Sequence, residues 1–197
     1  MFFVYLSHNS YYEKRGGSET CIDDELPFEI PENWTWVKLG ILCNFGDCKN
    51  IEPNKIALDA WLLDLEDIEK DSGKIIQRKR KHDVQSLSTK HCFYAGQILY
   101  SKLRPYLNKV IIADEDGYCT SEILPLDFGK IVHNIYAKTY LMTPFFVEYA
   151  TQCSYGVKMP RLGTEDGKNA LFPLPPLAEQ YRIATQVDIL LSIFNTI

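Results

Sequence analysis

The sequence lacks the features that would place the protein in a membrane or outside the cell. No segment approaches the roughly 18 consecutive apolar residues of a membrane-spanning helix. The apolar start, residues 1–6, has neither a basic region nor a small-residue cleavage site, so no secretory signal is predicted. The six cysteines never form a C-x-x-C pair. We therefore interpret them as reduced thiols of a cytoplasmic protein, not as disulfides or zinc ligands.

Recognisable catalytic motifs are missing as well. None of the four histidines belongs to an H-x-x-x-H pattern, and the sequence contains no phosphate-binding glycine loop and no G-x-S-x-G elbow. Residues 174–177 resemble the N/D-P-P-Y/F motif of amino-methyltransferases, but leucine occupies both chemically essential positions. A nuclease core built from Asp114, Asp116 and Glu122 is the one enzymatic alternative, and the first two read better as turn residues. The sequence thus predicts no catalytic residue, no metal and no cofactor.

The composition is that of a folded domain with an uneven charge distribution. The 197 residues are 46% apolar and 24% charged, which suits one domain with a real core. The net charge is −5, yet residues 72–112 hold nine basic residues and one acidic residue. Binding to phosphates requires clustered lysine and arginine and not a high overall pI. This block therefore indicates nucleic-acid binding, the alternative being a solvated basic face.

Turn and strand signals divide the chain into a tail and a recognisable domain. Residues 1–25 have no apolar period and are predicted to be a tail, with order beginning near Leu26. Residues 56–69 favour a buried strand or short helix followed by an acidic turn. Strands are predicted at 97–103, 109–113 and 118–126. An Asp-Gly turn between the last two predicts a hairpin.

Two helices are predicted in the second half. The first has Thr143 as N-cap, Pro144 in its first turn and Gly156 as its stop. The second covers 177–197, which contains no glycine or proline and has an apolar stripe with approximately coiled-coil spacing. That stripe favours a partner helix, or a truncated reading frame, over packing on its own domain. The residues assigned to the partner face are Leu177, Ile183, Ala184, Val187, Leu190, Leu191 and Phe194.

Five segments in the same order resemble one target-recognition half of the specificity (S) subunit of type I restriction–modification enzymes. They are Leu26-Pro-Phe-Glu-Ile-Pro-Glu-Asn-Trp34 with Val37-Lys-Leu-Gly40, Gly96-Gln-Ile-Leu-Tyr-Ser-Lys-Leu-Arg-Pro-Tyr-Leu-Asn-Lys109, Asp116-Gly-Tyr-Cys-Thr-Ser-Glu122, Gly156-Val-Lys-Met-Pro-Arg-Leu-Gly163 and Phe172-Pro-Leu-Pro-Pro-Leu-Ala-Glu-Gln-Tyr-Arg-Ile183. Each segment alone is weak evidence. Their order makes the set specific.

The resemblance implies an α/β (α+β) fold with a mixed, mostly antiparallel sheet and packed helices over 26–176. The start of a long coiled-coil-like helix follows over 177–197. It also implies a non-catalytic protein that reads half of a bipartite site in double-stranded DNA and directs methylation (M) and, through them, restriction (R) subunits. A complete subunit has two such domains, so a half-length or truncated protein is expected, one that would pair with a second half or form a homodimer. The alternative is an interaction remnant that pairs with those subunits without binding DNA.

The basic residues provide the predicted DNA contacts. Pro105 is expected to stiffen the chain beside Arg104, and a glycine near each end of 155–163 indicates an exposed loop. Tyr106 is expected in the core. The predicted DNA-binding residues are Arg78, Lys79, Arg80, Lys81, Lys102, Arg104, Lys109, Lys158 and Arg161.

Overall fold

A computed structural model describes residues 2–7, 10–15, 17–84 and 88–194. The last predicted helical residues, 195–197, lie outside these ranges. The strands are β1 (Phe2–Ser7), β2 (Ser10–Arg15), β3 (Ser18–Cys21), β4 (Thr35–Lys38), β5 (Asn50–Ile51), β6 (Trp61–Leu63), β7 (Lys79–Arg80), β8 (Lys90–Phe93), β9 (Ile98–Ser101), β10 (Val110–Ile112), β11 (Gly117–Thr120), β12 (Ile123–Leu126), β13 (Ser154–Tyr155), β14 (Arg161–Leu162) and β15 (Leu171–Leu174). The helices are α1 (Leu39–Leu42), α2 (Asn134–Leu141), α3 (Pro144–Gln152), α4 (Thr164–Asn169) and α5 (Leu177–Phe194).

Two sheets share the core of the molecule. One has the order β10-β9-β12 and the other β5-β8-β11-β6-β7, and most neighbouring strands are antiparallel. All four residues of β9 are buried. Ile98 and Tyr100 pack into the larger apolar cluster with α2 and α3, whereas Leu99 packs into a smaller cluster with Trp61 and Phe93. Burial on both faces explains why β9 reads as a continuous apolar run.

The predicted helix after residue 143 is present, with one correction. The Thr143 side chain accepts a hydrogen bond from the backbone N–H of Phe146, so Thr143 is the N-cap of α3. Phe146 and Ala150 are buried on one face. The helix ends at Gln152, and Gly156 lies beyond it between β13 and β14 with φ of 98°. Gly156 therefore lies in a hairpin connection. The prediction that it ends the helix is wrong.

The prediction of an unstructured tail over 1–25 is wrong. β1, β2 and β3 form an antiparallel meander, in which the rings of Tyr5 and Tyr12 stack. Glu13 and the β4 residue Lys38 form a largely buried ion pair of 2.9 Å, which fastens the meander to the domain. Ile22 is buried at the end of the meander. The segment was missed because β2 and β3 are short and rich in polar residues.

The predicted hairpin across the Asp-Gly turn is also wrong. β10 pairs with β9, whereas β11 pairs with β8 and β6 in the other sheet, so the turn is a corner between two sheets. A Cβ on Gly117 would lie 2.5 Å from the Phe93 ring and 2.9 Å from the Trp61 carbonyl oxygen. This glycine thus permits close strand packing and not a hairpin turn.

The single strand predicted over 118–126 is two strands in the structure, β11 in one sheet and β12 in the other. The prediction for residues 56–69 is confirmed. Residues 61–63 form the buried strand β6, and an acidic 3₁₀ turn, Leu65–Asp67, follows it. The overall architecture is the predicted mixed, mostly antiparallel α/β fold with a C-terminal helix. Within the described ranges, no helix is both long enough and apolar enough to span a membrane.

Candidate nucleic-acid interface

The basic stretch, residues 78–81, begins with Arg78, whose positive charge is neutralised by ion pairs with two carboxylates. Arg78 Nη2 donates to both carboxylate oxygens of Asp114, at 2.9 and 2.8 Å, and Nη1 lies 3.0 Å from Glu115 Oε1. The guanidinium carbon also lies 4.2 Å from the centroid of the buried Trp61 ring. Arg80 Nη1 lies 2.8 Å from Glu115 Oε1 as well. These contacts hold both arginines against the sheet.

The two lysines of the basic stretch also face inward. Lys79 Nζ lies 2.6 Å from Glu66 Oε1 and 2.7 Å from Asp67 Oδ1, and Asp67 is only 2% exposed. Hydrogen bonds to Asp67 and Glu66 raise the pKa of Lys79, which keeps it charged. Lys81 Nζ donates to the carbonyl oxygens of Pro53 and Ile56. The cations of the stretch are therefore committed to carboxylates and carbonyls of their own domain.

A second basic region combines two segments that touch. The connection between β9 and β10, residues 102–109, contacts the β13–β14 hairpin, residues 154–162, and we call the two together the hairpin–loop surface. Arg104 N donates to Pro160 O at 2.7 Å, and Leu162 N donates to Lys102 O at 3.0 Å. Leu103 and Arg161 form an isolated antiparallel bridge. The two segments therefore form one connected backbone surface.

The loop half of this surface is held in an unusual conformation. Arg104 and Asn108 both have φ of 49° and flank the 3₁₀ turn Pro105–Leu107. A left-handed arginine is strained, and such strain persists only where the surrounding structure enforces it. Arg104 Nη2 donates to the carbonyl oxygen of Lys158 at 3.2 Å, so this side chain ties the loop to the hairpin tip. The expectation that Pro105 makes the backbone beside Arg104 rigid agrees with this geometry.

Arg161 braces the hairpin instead of pointing outward. Its guanidinium donates to the Glu122 carboxylate from both Nε, at 2.9 Å, and Nη2, at 2.7 Å. A third nitrogen, Nη1, donates to the Met159 carbonyl oxygen at 3.0 Å. The hydrogen bonds to Glu122 raise the pKa of Arg161. We accordingly place Arg161 among the positioning residues and not among those that contact DNA.

The other predicted cations differ in their freedom. Lys109 is half-buried and its Nζ donates to the Leu65 carbonyl oxygen at 2.7 Å. Within the described ranges, the side chains of Lys102 and Lys158 have neither an ion pair nor a hydrogen bond, and Lys158 is exposed. Tyr106, expected in the core, is 47% exposed beside them, which corrects that prediction. Among the predicted cations in the described ranges, Lys102 and Lys158 are therefore left available to a ligand, and Arg104 lies in the same loop as Lys102.

The two segments of the hairpin–loop surface contain five cations and no acidic residue. Among the described residues, the carboxylate paired with one of these cations is that of Glu122, which binds Arg161. Glu66, which pairs with Lys79, lies at the Lys109 edge of the surface. By contrast, three of the four cations of the basic stretch pair with carboxylates, namely those of Glu66, Asp67, Asp114 and Glu115. Net positive charge is therefore concentrated on the hairpin–loop surface, although the sequence places the longest basic run elsewhere.

Comparisons with known proteins give this geometry a context. The chain is 32% identical over 183 residues to the type I restriction enzyme EcoDI specificity subunit of Escherichia coli, a match that covers 88% of this chain and 38% of that protein. It is 27% identical over 184 residues to the EcoAI specificity subunit of the same organism, covering 88% and 31%. The chain is a relative of the type I restriction enzyme specificity subunits. No family model matches the sequence.

The fold of this specificity-subunit relative is also found in a solved structure. It matches the HsdS subunit from Thermoanaerobacter tengcongensis with a TM-score of 0.72 and 22% identity, over 87% of this chain and 45% of that one. The resemblance deduced from the sequence and the predicted fold class are both confirmed. The chain spans 38% and 31% of the two curated relatives, which is consistent with a single domain of such a subunit.

In this relative of the specificity subunits, the first half of α5 packs on its own domain. Gln180 is 1% exposed: its Oε1 accepts from His133 N at 2.7 Å and its Nε2 donates to the carbonyl oxygens of Pro175 and Ile131. Ala184 is buried, and Ile183 and Val187 are half-buried. These three residues were predicted to face a partner helix. The structure instead supports the alternative, in which this part of the stripe packs on its own domain. Exposed apolar side chains occupy the start and the second half of the helix: Leu177, Ile189, Leu190, Leu191 and Ile193.

The carboxylates proposed for a nuclease core have other roles in the structure. Asp114 binds Arg78, Asp116 Oδ1 accepts from Ala95 N at 2.9 Å, and Glu122 binds Arg161. In the described part of the chain, no group of three histidine, cysteine, aspartate or glutamate side chains is arranged to hold a metal ion. The six cysteines are free thiols.

Sequence reasoning missed the exposed apolar side chains of the hairpin–loop surface. Tyr155, Val157 and Met159 project from the hairpin, with Lys158 between the last two. A signal for them existed, because apolar residues alternate through Tyr155-Gly-Val-Lys-Met159 with no acidic residue nearby. Alternation in so short a segment reads as a buried strand as easily as an exposed tip.

Proposed function

We propose that this chain is a sequence-specific DNA-binding module of a type I restriction–modification system, which reads one half of a bipartite site through the hairpin–loop surface. Its relation to the specificity subunits supports the class of function. The observation that carries the location is the charge contrast between the two basic regions. Lys102, Arg104 and Lys158 would contact phosphates, and these contacts would set the orientation of the protein on the duplex.

The module has no catalytic role in this proposal. Asp114, Asp116 and Glu122 are engaged with arginines or a backbone amide, and the methylation and restriction subunits that the module directs would perform the chemistry. We keep the division predicted from the sequence, with a recognition domain over 26–176 and a helix from 177 onward. The meander β1–β3 is added to the recognition domain. The cytoplasm is the proposed location because it holds the DNA substrate.

The test of DNA binding compares two pairs of lysines. We expect the wild-type chain to bind a fluorescent 30-base-pair duplex, with an affinity that falls steeply as salt increases. Lys102→Ala/Lys158→Ala should weaken binding and flatten the slope of log K against log[salt] by about 2, since each lost phosphate contact removes about 0.9. Lys55→Ala/Lys130→Ala, a control on exposed lysines elsewhere, should leave both unchanged. Equal effects of the two double variants would refute the assigned surface.

We further propose that the second half of α5 binds a helix of another subunit. Leu190 and Leu191 continue the stripe of Ile183, Ala184 and Val187 along the helix, and each is about half exposed. An exposed apolar row of this kind marks an interaction surface. The partner helix would come from a second recognition half or from a second copy of this chain, and methylation subunits would dock on the resulting pair.

Solution mass tests this assembly. The chain should form a dimer alone, or a complex when mixed with the methylation subunit encoded beside its gene. Leu190→Lys/Leu191→Lys should abolish that association without affecting the fold, whereas Thr185→Lys/Gln186→Lys on the same helix should not. Partner binding by a chain with no affinity for any duplex would favour the alternative of an interaction remnant.

A further inference from the structure

The tip of the β13–β14 hairpin carries three exposed apolar side chains. Val157 is fully exposed, Tyr155 is 63% exposed and Met159 is 44% exposed. Single exposed apolar residues need no explanation, but three within five residues form a patch at the outermost point of the hairpin. The patch adjoins Lys158 and the cations of the loop half.

The backbone beneath this patch is fixed at several points. The carbonyl oxygens of Lys158, Met159 and Pro160 accept hydrogen bonds from Arg104 Nη2, Arg161 Nη1 and Arg104 N, respectively. A preorganised tip pays little conformational entropy when it binds. Exposed side chains on such a tip are therefore suited to contact a ligand directly.

Charge identifies the occupant. The two segments that form the tip and its support contain five cations and no acidic residue, and one of the five, Arg161, is paired with Glu122. A polyanion is therefore the complementary ligand. Among polyanions, duplex DNA offers a major groove wide enough for a two-stranded β-ribbon, and its floor carries the thymine C5-methyl groups that apolar side chains recognise. An apolar tip flanked by cations matches a methyl-bearing groove between two rows of phosphates.

We infer that the hairpin tip enters the major groove, where Val157 contacts a thymine methyl group and Lys158 contacts an adjacent phosphate. This inference rests on the proposed function and adds a specificity-determining residue to it. Val157 would favour one thymine within the half-site. Lys158 would contribute affinity on any sequence.

The experiment first isolates a binding duplex from a pool with a randomised centre, using the wild-type chain. Each thymine of that duplex is then replaced in turn by uracil, which lacks only the methyl group. At one position we expect wild-type affinity to fall about fourfold, the value of one buried methyl group. Val157→Ala should bind the thymine and uracil duplexes equally at that position.

Two controls separate the causes of failure. Ile76→Ala removes an exposed β-branched side chain near the basic stretch and should keep the wild-type response to uracil. Lys158→Ala should weaken all duplexes alike and keep the response. If the pool yields no bound duplex, the proposed function is refuted. If a duplex is selected but Val157→Ala keeps the wild-type response to uracil, or no uracil reduces affinity, DNA binding stands and the groove contact is overturned.

Discussion

The basic stretch and the hairpin–loop surface are both rich in lysine and arginine. They differ in how many carboxylates the fold places beside those side chains. In the basic stretch, β7 lies beside β6, so its cations reach the acidic turn after β6 and the acidic corner before β11. The hairpin–loop surface has five cations, and among the described residues the carboxylate that pairs with one of them is Glu122, which binds Arg161. The comparison shows that a local count of basic residues predicts positive surface potential only where the fold brings no acidic residues alongside.

The largest expected effect concerns stability in the basic stretch. Lys79→Met would leave the carboxylate of Asp67 buried without its cation, and breaking such a pair costs about 3–5 kcal/mol. Lys158→Met, on the exposed tip, should cost less than about 0.5 kcal/mol. Urea denaturation of both variants measures the difference. Lys79→Met/Asp67→Asn, which removes the buried charge, should recover most of the loss, and a Lys79→Met cost no larger than that of Lys158→Met would contradict this account.

A smaller effect is expected where Arg161 braces the hairpin. Arg161→Met removes a bidentate ion pair with the half-buried Glu122 and should cost about 1–3 kcal/mol. The tip, residues 155–160, should also become a faster site of limited proteolysis, because its fixed points are lost. Arg182→Met breaks an exposed i,i+3 pair on α5 and serves as the control, with a cost well below that of Arg161→Met because solvent screens the pair. Unchanged proteolysis of Arg161→Met would show that the brace does not hold the tip.

Local signals in the sequence predicted much of the fold. The Thr143–Pro144 helix start and the buried strand β6 were found from short-range patterns, and the ordered motifs identified the family. The prediction of an Asp-Gly hairpin failed because Gly117 is needed where its strand packs closely against the Phe93 ring. That contact joins distant segments, so no local pattern reveals it. The prediction for residues 1–25 failed in part because the meander is attached to the domain through Lys38, which lies well outside the segment.

The candidate site was harder to predict for the same physical reason. Arg78 and Asp114 are 36 residues apart, and Arg161 and Glu122 are 39 apart, so no local pattern reveals either pair. The sequence drew attention to Arg104 and to the segment after Tyr155, and the fold brings these two together. It could not show which cations the fold neutralises, and that is what separates the two basic regions.

The strained loop offers a way to separate backbone effects from side-chain effects on the hairpin–loop surface. Arg104→Gly and Arg104→Ala both remove the guanidinium, but only glycine adopts a φ of 49° without a steric penalty. The free energy of unfolding of Arg104→Gly should therefore exceed that of Arg104→Ala by about 1 kcal/mol. Both variants should bind DNA equally weakly in the anisotropy assay. Equal stability of the two would mean that the left-handed backbone carries no strain.

The smallest effect is the acid response of the basic stretch. Hydrogen bonds from Arg78 hold the pKa of Asp114 below its ordinary value of about 3.9. Because the folded pKa is the lower one, the pair stabilises the protein fully above about pH 5, and its contribution disappears as the pH falls through the depressed pKa. Asp114 is largely exposed, so the gap in unfolding free energy between wild type and Arg78→Gln should be at most about 1 kcal/mol at pH 7. That gap should shrink below pH 4, while the gap between wild type and Lys158→Ala should not change with pH, since Lys158 faces no titrating carboxylate among the described residues. A pH-independent gap for Arg78→Gln would show that the ion pairs of Arg78 with Asp114 and Glu115 contribute nothing to stability and that its contact with the Trp61 ring carries the effect.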